Sequence, residues 1–231
     1  MEIKELRTRV ENKPVKDQLK TLAEIFPDKV VFSSSFGIED QVLTHIIFEN
    51  DIPIKVATLD TGRLFPETYK VFNQTYKKYQ KEINVYFPDH VAVENMVTEK
   101  GPFSFFYSIE NRIECCRLRK VIPLNRALTG MKIWISGIRA SQSDNRSQME
   151  WLEFDEDKKL FKFYPLFHWS FDEVKEFINV NMVPYNILHE RGFVSIGCEP
   201  CTRAIEPGED FRAGRWWWET DGPKECGCHI K

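Results

Sequence analysis

Apolar positions along this chain switch between two rhythms, and the switching predicts its elements. Leu19, Leu22, Ala23, Ile25 and Phe26 form a partial helical stripe in a lead-in over residues 1–29, which Pro27-Asp28 stops. Val30-Val31-Phe32 then reads as a short buried strand and Ser33-Ser34-Ser35-Phe36-Gly37 as a turn. Ile38, Val42, Ile46 and Ile47 follow at helical spacing. The unit recurs: Ile54–Leu59 is strand-like, Asp60-Thr61-Gly62 is a turn, and Phe65 to Tyr79 reads as a helix. Ile83–Phe87 predicts a third strand that ends at Pro88, and Lys132–Ser136 a fourth. Leu160–Tyr164 alternates weakly and predicts a fifth. Ser170-Phe171-Asp172-Glu173 is a capping box opening a helix that turns Val174, Phe177 and Ile178 inward. The stretch from Tyr107 to Leu128 is mostly helical, with a bend expected at Pro123.

Strands alternating with helices predict an α/β fold with a parallel sheet, because each parallel crossover needs a helix. Ligands of such sheets bind at the carboxyl ends of the strands. That rule sets the Ser33–Gly37 and Asp60–Gly62 turns on one rim. A strand, a small polar loop and a helix point backbone N–H groups and hydroxyls at an anion. The loop lacks the G-x-x-x-x-G-K-[ST] order of a Walker loop, and an ordinary βα turn is the plainer alternative. The polar loop Gly137–Arg146 carries Arg139 and Arg146, which suit a phosphate or sulfate but could equally be solvated.

Composition changes the picture in three ways. The 231 residues, 42% hydrophobic and 29% charged, can bury a sizeable core and argue against gross disorder. The simplest organisation is one domain over 1–218 and a mobile tail over 219–231. A net charge of −3 gives no electrostatic case for bulk nucleic-acid or membrane binding. No apolar run reaches membrane-span length, and Met1–Arg7 lacks the apolar core of a secretory signal, so a cytoplasmic location is expected. In a reducing compartment, six clustered cysteines point to metal binding or reactivity rather than structural disulfides.

Four of the six form two pairs, Cys115-Cys116 and Cys198-x-x-Cys201. Four thiolates with no nearby histidine suit zinc or an iron–sulfur cluster. Neighbouring side chains on a helix diverge by about 100°. Adjacent cysteines therefore reach two irons of one cluster more readily than one zinc ion. Arg117, Arg119 and Lys120 flank one pair, and Arg203, Arg212 and Arg215 follow the other. They can offset thiolate charge or hold an anion. Cys226 and Cys228 remain, in Lys224-Glu225-Cys226-Gly227-Cys228-His229. A thiol becomes nucleophilic where positive charge lowers its pKa, and Lys224, His229 and Lys231 are local sources.

Taken in order, Ser33–Gly37, Leu59-Asp60-Thr61-Gly62, Cys115-Cys116-x-x-Arg119-Lys120, Gly197-Cys198-x-x-Cys201-Thr202 and Lys224-Glu225-Cys226-Gly227 resemble one family. This is the assimilatory adenylyl-sulfate reductases, close relatives of the 3′-phosphoadenylyl-sulfate reductases. The resemblance runs from about residue 30 to the end. It implies an adenine-nucleotide-hydrolase-like (PP-loop) fold with helices on both faces of the sheet. It implies a [4Fe–4S] cluster on Cys115, Cys116, Cys198 and Cys201. Ser33, Ser35, Gly37, Leu59, Asp60 and Gly62 match the nucleotide site; Lys120, Arg212, Arg215 and His229 match positions that handle the phosphosulfate. Arg139 and Arg146 fall in the arginine loop. The implied reaction starts with attack of Cys226 on the sulfur of adenylyl sulfate. Sulfite is then released from the S-sulfocysteine by thioredoxin or a similar dithiol, in sulfate assimilation. A homo-oligomer is common in the family.

The chain departs from the family pattern at Cys228, where leucine is usual. Cys228 is read as a spectator or redox guard, with intramolecular resolution of the sulfocysteine as the alternative. Preference for the 3′-phosphorylated substrate, or use of both, stays open, as does a redox sensor on a degenerate nucleotide fold. A sulfurtransferase or ATP pyrophosphatase fits less well, because Ser33–Gly37 lacks the S-x-G-x-D-S order.

Overall fold

A computed structural model of the chain describes residues 2–219. They form two compact units. The first draws on the chain up to Thr58, Glu67–Asn84 and Gly130–Ile187; the second on Leu59–Pro66, Val85–Thr129 and the chain from Leu188 onward. Of the expected tail over 219–231, only Glu219 is described; Cys226, Cys228 and His229 lie outside the described residues.

Helices α1 (Ile3–Val10) and α2 (Val15–Ile25) precede β1 (Val30–Ser34), α3 (Ile38–Glu49) and β2 (Lys55–Leu59). Then come α4 (Pro66–Tyr79), β3 (Asn84–Tyr86), α5 (His90–Lys100), α6 (Ile109–Cys116) and α7 (Ile122–Leu128). The chain continues with β4 (Ile133–Ile135), the single turn α8 (Asp144–Ser147), β5 (Leu152–Asp155), β6 (Leu160–Phe163) and α9 (Phe171–Val180).

The strands form one sheet of order β3-β2-β1-β4-β6-β5. β1 pairs parallel with β2 and with β4, and β4 with β6. β5 runs antiparallel along β6. Val30, Phe32, Ile133, Ile135, Phe161 and Phe163 enter a core that also holds Leu19 and Leu22 of α2, Val42 and Ile46 of α3 and Val174 and Ile178 of α9. A parallel strand covered on both faces must be apolar almost throughout, which is why Val30-Val31-Phe32 of β1 and Ile133-Trp134-Ile135 of β4 read as unbroken hydrophobic runs. Ser170 caps α9 through the expected box: its hydroxyl accepts from Glu173 N–H at 3.1 Å, and Glu173 accepts from Ser170 N–H at 2.7 Å.

The strand order reverses between β1 and β4, since successive strands run outward from β1 to β3 and then return beside β1 as β4. Such a switch point opens a crevice at the carboxyl ends of the two strands. In this unit those ends deliver Ser35–Gly37 and Ser136–Gly137.

The second unit has its own cluster of Met96, Phe105, Cys115, Cys198, Cys201 and Trp216. Around the cysteine pair the helical run continues through Pro123, where the sequence suggested a bend. α6 passes into a π-helical turn over Arg117–Val121 and on into α7, with Pro123 in the first turn of α7. Pro lacks the N–H that the helix ladder would use. A widened turn just ahead of it absorbs that loss, and such turns occur frequently at functional sites.

Candidate active site

The first unit organises its loop around a residue that the sequence reading passed over. Asp40, in the first turn of α3, accepts from Ser35 N–H at 2.6 Å, Ser35 Oγ–H at 2.7 Å and Gly137 N–H at 3.1 Å. One buried carboxylate thus ties the loop after β1 to the loop after β4. Burial pushes the Asp40 carboxyl up to about 6 from an ordinary 3.8, and the Glu39 charge acts in the same direction. The donations from Ser35 and Gly137 oppose the rise. A Cβ on Gly137 would lie 2.4 Å from Asp40 Oδ1, so this junction requires glycine.

Of the residues expected at a nucleotide, Ser33 is half-buried and its hydroxyl accepts from Trp134 Nε1–H at 2.7 Å. Ser35 is exposed, with its hydroxyl turned to Asp40. Gly37 caps α3 without a side-chain hydrogen bond, leaving the first backbone N–H groups of that helix to point at the loop.

The two loop arginines are placed differently. Arg139 is buried: its Nε donates to Glu39 at 2.9 Å and its Nη1 to Ser141 Oγ at 2.6 Å, with the guanidinium 5.4 Å from the Phe171 ring centre. Glu39 also accepts from Gln142 Nε2 at 3.0 Å. Arg146 Nη1 donates to Gln142 Oε1. Together the pair and Gln142 stiffen the loop after β4.

In the second unit the cysteine pairs meet. Cys115, Cys116, Cys198 and Cys201 line one cavity with Arg63, Arg112, Arg119 and Lys120, closed by Phe105 and Trp216. The π turn explains how Arg112, Cys115, Cys116, Arg119 and Lys120 all face it, because a wider turn brings residues four and five apart onto one side. Cys198 and Cys201 bracket a tight turn in which Cys201 N–H bonds Cys198 O at 3.0 Å. Thr202 Oγ1 donates to the same carbonyl at 2.9 Å.

Leu59–Gly62 packs on these cysteines. Thr61 Oγ1 lies 3.3 Å from Cys198 Sγ, and Thr61 O accepts from Arg119 Nη1 at 2.7 Å. Asp60 Oδ1 accepts from Gly62 N–H at 2.8 Å, in a turn that needs the positive φ of Gly62. Leu64 bridges Cys198, and Glu199 N–H bonds Arg63 O at 2.8 Å. Asp60 and Gly62 thus shape the turn that supports one thiol, a contact nothing in the sequence pattern announced.

Electrostatics set these thiols apart. Burial pushes Cys201 up to about 12, and Cys198 beside it adds to the rise, while Lys120 and Arg215 oppose it. Burial also raises Cys115, where Arg119 is the main opposing charge. The buried Nε of Arg119 and the buried Trp216 Nε1, both at the cavity, have no hydrogen-bond partner among the described residues.

Arg212 and Arg215 are buried, and each directs an Nη1 at Ser195 Oγ from 3.5 Å. Arg215 lies against Gly197, where a Cβ would come within 2.4 Å of its Nη2. The indole of Trp216 lies between two guanidinium groups, with the carbons of Arg112 and Arg215 each 4.8 Å from its centre. Among the described residues, no group of three or more His, Cys, Asp or Glu side chains is arranged to hold one metal ion, and no helix is long and apolar enough to cross a membrane.

Residues 29–204 match the phosphoadenosine phosphosulfate reductase domain. The adenosine 5′-phosphosulfate reductase of Sinorhizobium fredii (strain NBRC 101917 / NGR234) is 44% identical over 99% of this chain and 91% of its own. That of Allochromatium vinosum is 48% identical over 88% of this chain and 80% of its own. The crystal structure of phosphoadenylyl-sulfate reductase from Candida auris, a phosphate complex, superimposes with a TM-score of 0.74 at 26% identity, over 88% of this chain and 96% of that one. Yeast FAD synthetase shares the fold alone, with a TM-score of 0.55 at 14% identity over 88% of this chain and 69% of that one. The chain belongs to the phosphoadenosine phosphosulfate reductase family, and within it stands with the adenosine 5′-phosphosulfate reductases.

Proposed function

We propose that this protein reduces adenylyl sulfate to sulfite and AMP, using thioredoxin or a similar dithiol, through an S-sulfocysteine at Cys226. The observation that carries the reading is the cavity where four thiols and four cationic side chains meet, in a chain 44% identical to a reductase of adenosine 5′-phosphosulfate.

Cys115, Cys116, Cys198 and Cys201 would hold a [4Fe–4S] cluster. The donor set fits: four sulfurs, no histidine among the described lining residues, a ring of positive charge and two buried donors with no partner among the described residues. Buried thiols whose pKa is raised stay protonated unless a metal compensates their charge, so metal binding would release protons here. When bound, the cluster supplies a charged, polarisable centre that cross-links the helix bearing Cys115-Cys116 to the Cys198–Cys201 turn.

Ser33, Ser35 and Gly37 serve the nucleotide, through hydroxyls and the first N–H groups of α3. Lys120, Arg212, Arg215 and His229 serve the phosphosulfate, where guanidinium groups stabilise the charge that builds on departing oxygens. Arg139 acts at one remove, holding the loop after β4 through Glu39.

The chemistry balances in two steps. The Cys226 thiolate attacks the sulfonyl sulfur, an S–S bond forms, the S–O bond to the phosphate breaks, and AMP leaves with that electron pair. A thiolate of the dithiol then attacks Cys226 Sγ, and sulfite leaves with the S–S electron pair. The second thiol of the reductant releases Cys226, so the two electrons come from a dithiol oxidised to a disulfide.

The test is sulfite release by anaerobically purified protein with thioredoxin, offering adenylyl sulfate and its 3′-phosphorylated form side by side. Preference for adenylyl sulfate supports the reading. Preference for the phosphorylated form would make the protein a 3′-phosphoadenylyl-sulfate reductase. Absence of sulfite from either, in protein that retains iron, would refute a reductase.

A further inference from the structure

One buried hydroxyl of the first unit has no use within the fold. Ser136 directly follows β4 and is 5% exposed, and its Oγ has no hydrogen-bond partner among the described residues. Its backbone is satisfied, since Ser136 N–H bonds Phe163 O at 3.2 Å. A serine hydroxyl can both donate and accept, and burying it unpaired costs stability. An orphan of this kind calls for a partner that binds from outside.

Strand geometry sets where the hydroxyl lies. Ile133 and Ile135 of β4 enter the core, so Trp134 and Ser136 face the other side of the sheet. Phe32 of β1 pairs with Ile135, which sets the next residues along, Ser33 and Ser136, side by side at the carboxyl ends of the strands. Trp134 Nε1–H donates to Ser33 Oγ at 2.7 Å, so Ser33 shares that face. Ala57 of β2 pairs with Ser33 and continues the row. Three adjacent strands therefore end in short side chains, and two of these carry hydroxyls. Short side chains let a ligand come close to the sheet at the point where the strand order reverses.

The spacing from the anion end of this crevice selects the ligand group. Gly137 packs on the first turn of α3, where a Cβ on it would lie 3.2 Å from Asp40 N. Ser136 is one residue away, about 3.8 Å between Cα atoms. A 5′-phosphate held by the N–H groups of that turn has its ribose within this range, and the base only beyond it. The neighbouring charges favour a hydroxyl over a second phosphate. Asp40 accepts from Gly137 N–H at 3.1 Å, and Arg139 donates from Nε to Glu39 at 2.9 Å. A carboxylate beside a ribose suits its hydroxyls, whereas a phosphate there calls for an arginine. We propose that Ser136 is a substrate-binding residue whose hydroxyl pairs with a ribose hydroxyl of the bound nucleotide. The inference rests on the β1/β4 crevice being the nucleotide site.

The test is calorimetric titration of the full, anaerobically purified protein with AMP, 2′-deoxy-AMP and 3′-deoxy-AMP. Ser136→Ala fits in the space of the serine and removes an unpaired group, so the free variant should melt at or slightly above the wild-type temperature. A merely structural role for the hydroxyl would lower that temperature instead. AMP binding should weaken about five- to tenfold. The deoxy analogue that lacks the paired hydroxyl should bind variant and wild type within about twofold, because one side of the contact is already gone. Wild-type AMP affinity in Ser136→Ala would overturn the proposal and leave the hydroxyl to a buried water. An equal loss for AMP and both analogues would overturn it too, since the contact would then lie on the base or the phosphate. A wild-type protein that binds no AMP would instead refute the reading of the crevice as a nucleotide site, and the proposal with it.

Discussion

Replacing Gly197 by alanine tests whether the buried arginines do chemistry. The added Cβ would lie 2.4 Å from Arg215 Nη2, 2.6 Å from its Cζ and 2.9 Å from its Nη1. Restoring ordinary contact requires the guanidinium to retreat by about 1 Å. The φ of Gly197 is not in the positive range, so alanine fits its backbone and the whole effect falls on Arg215. Because the displaced group is the end of a flexible side chain, stability should drop by only about 1 kcal/mol. A 1 Å displacement of a group that steadies transition-state charge costs far more, about 100-fold in kcat/KM. Ser195 Oγ, already at 3.5 Å from both arginines, would lose Arg215 altogether. Steady-state sulfite release against adenylyl sulfate concentration, with thermal melting alongside, separates the two effects. A folded Gly197→Ala protein with wild-type kcat/KM would refute the role given to Arg215.

Four further variants have definite expected outcomes. Cys226→Ser should keep its iron and lose sulfite release, whereas Cys201→Ser should lose iron as well; iron analysis with the turnover assay checks both, and full activity in Cys226→Ser would remove it as nucleophile. Arg139→Ala should destabilise by about 3–5 kcal/mol in urea unfolding, because Glu39 is left buried without its cation, and a change under 1 kcal/mol would show that the pair contributes little. Burial raises Asp40 to about 6, so its contribution favours the fold below its ordinary 3.8 and is lost as pH rises through about 6, a span of about 3 kcal/mol. Asp40→Asn should flatten that part of the stability profile between about pH 4 and pH 7, and identical slopes in the two proteins would contradict it.

The parallel core of the sheet was legible because β1, β2 and β4 are short apolar runs followed by polar turns and helices. β5 was not. Leu152-Glu153-Phe154-Asp155 buries only Leu152 fully, as befits an edge strand, and its antiparallel pairing with β6 has no local signature. α5 escaped for a related reason: Met96 is its sole buried residue, so it has no apolar stripe to read. At the site, residue types and spacing announced the thiols and the cations but not their partners. Arg139 looked ready for an anion, yet its partner Glu39 is 100 residues away. Asp40 and Thr61 stayed hidden likewise, since each acts through a contact that only the folded chain creates.

The most direct measurement mixes anaerobic wild-type protein with one equivalent of adenylyl sulfate, without any dithiol, and follows AMP release and intact mass together. The account predicts one AMP for each SO3 group gained, with the adduct on Cys226 and sulfite appearing only when a dithiol is added. AMP release without an adduct, an adduct on another cysteine, or sulfite in the absence of thiol would contradict it.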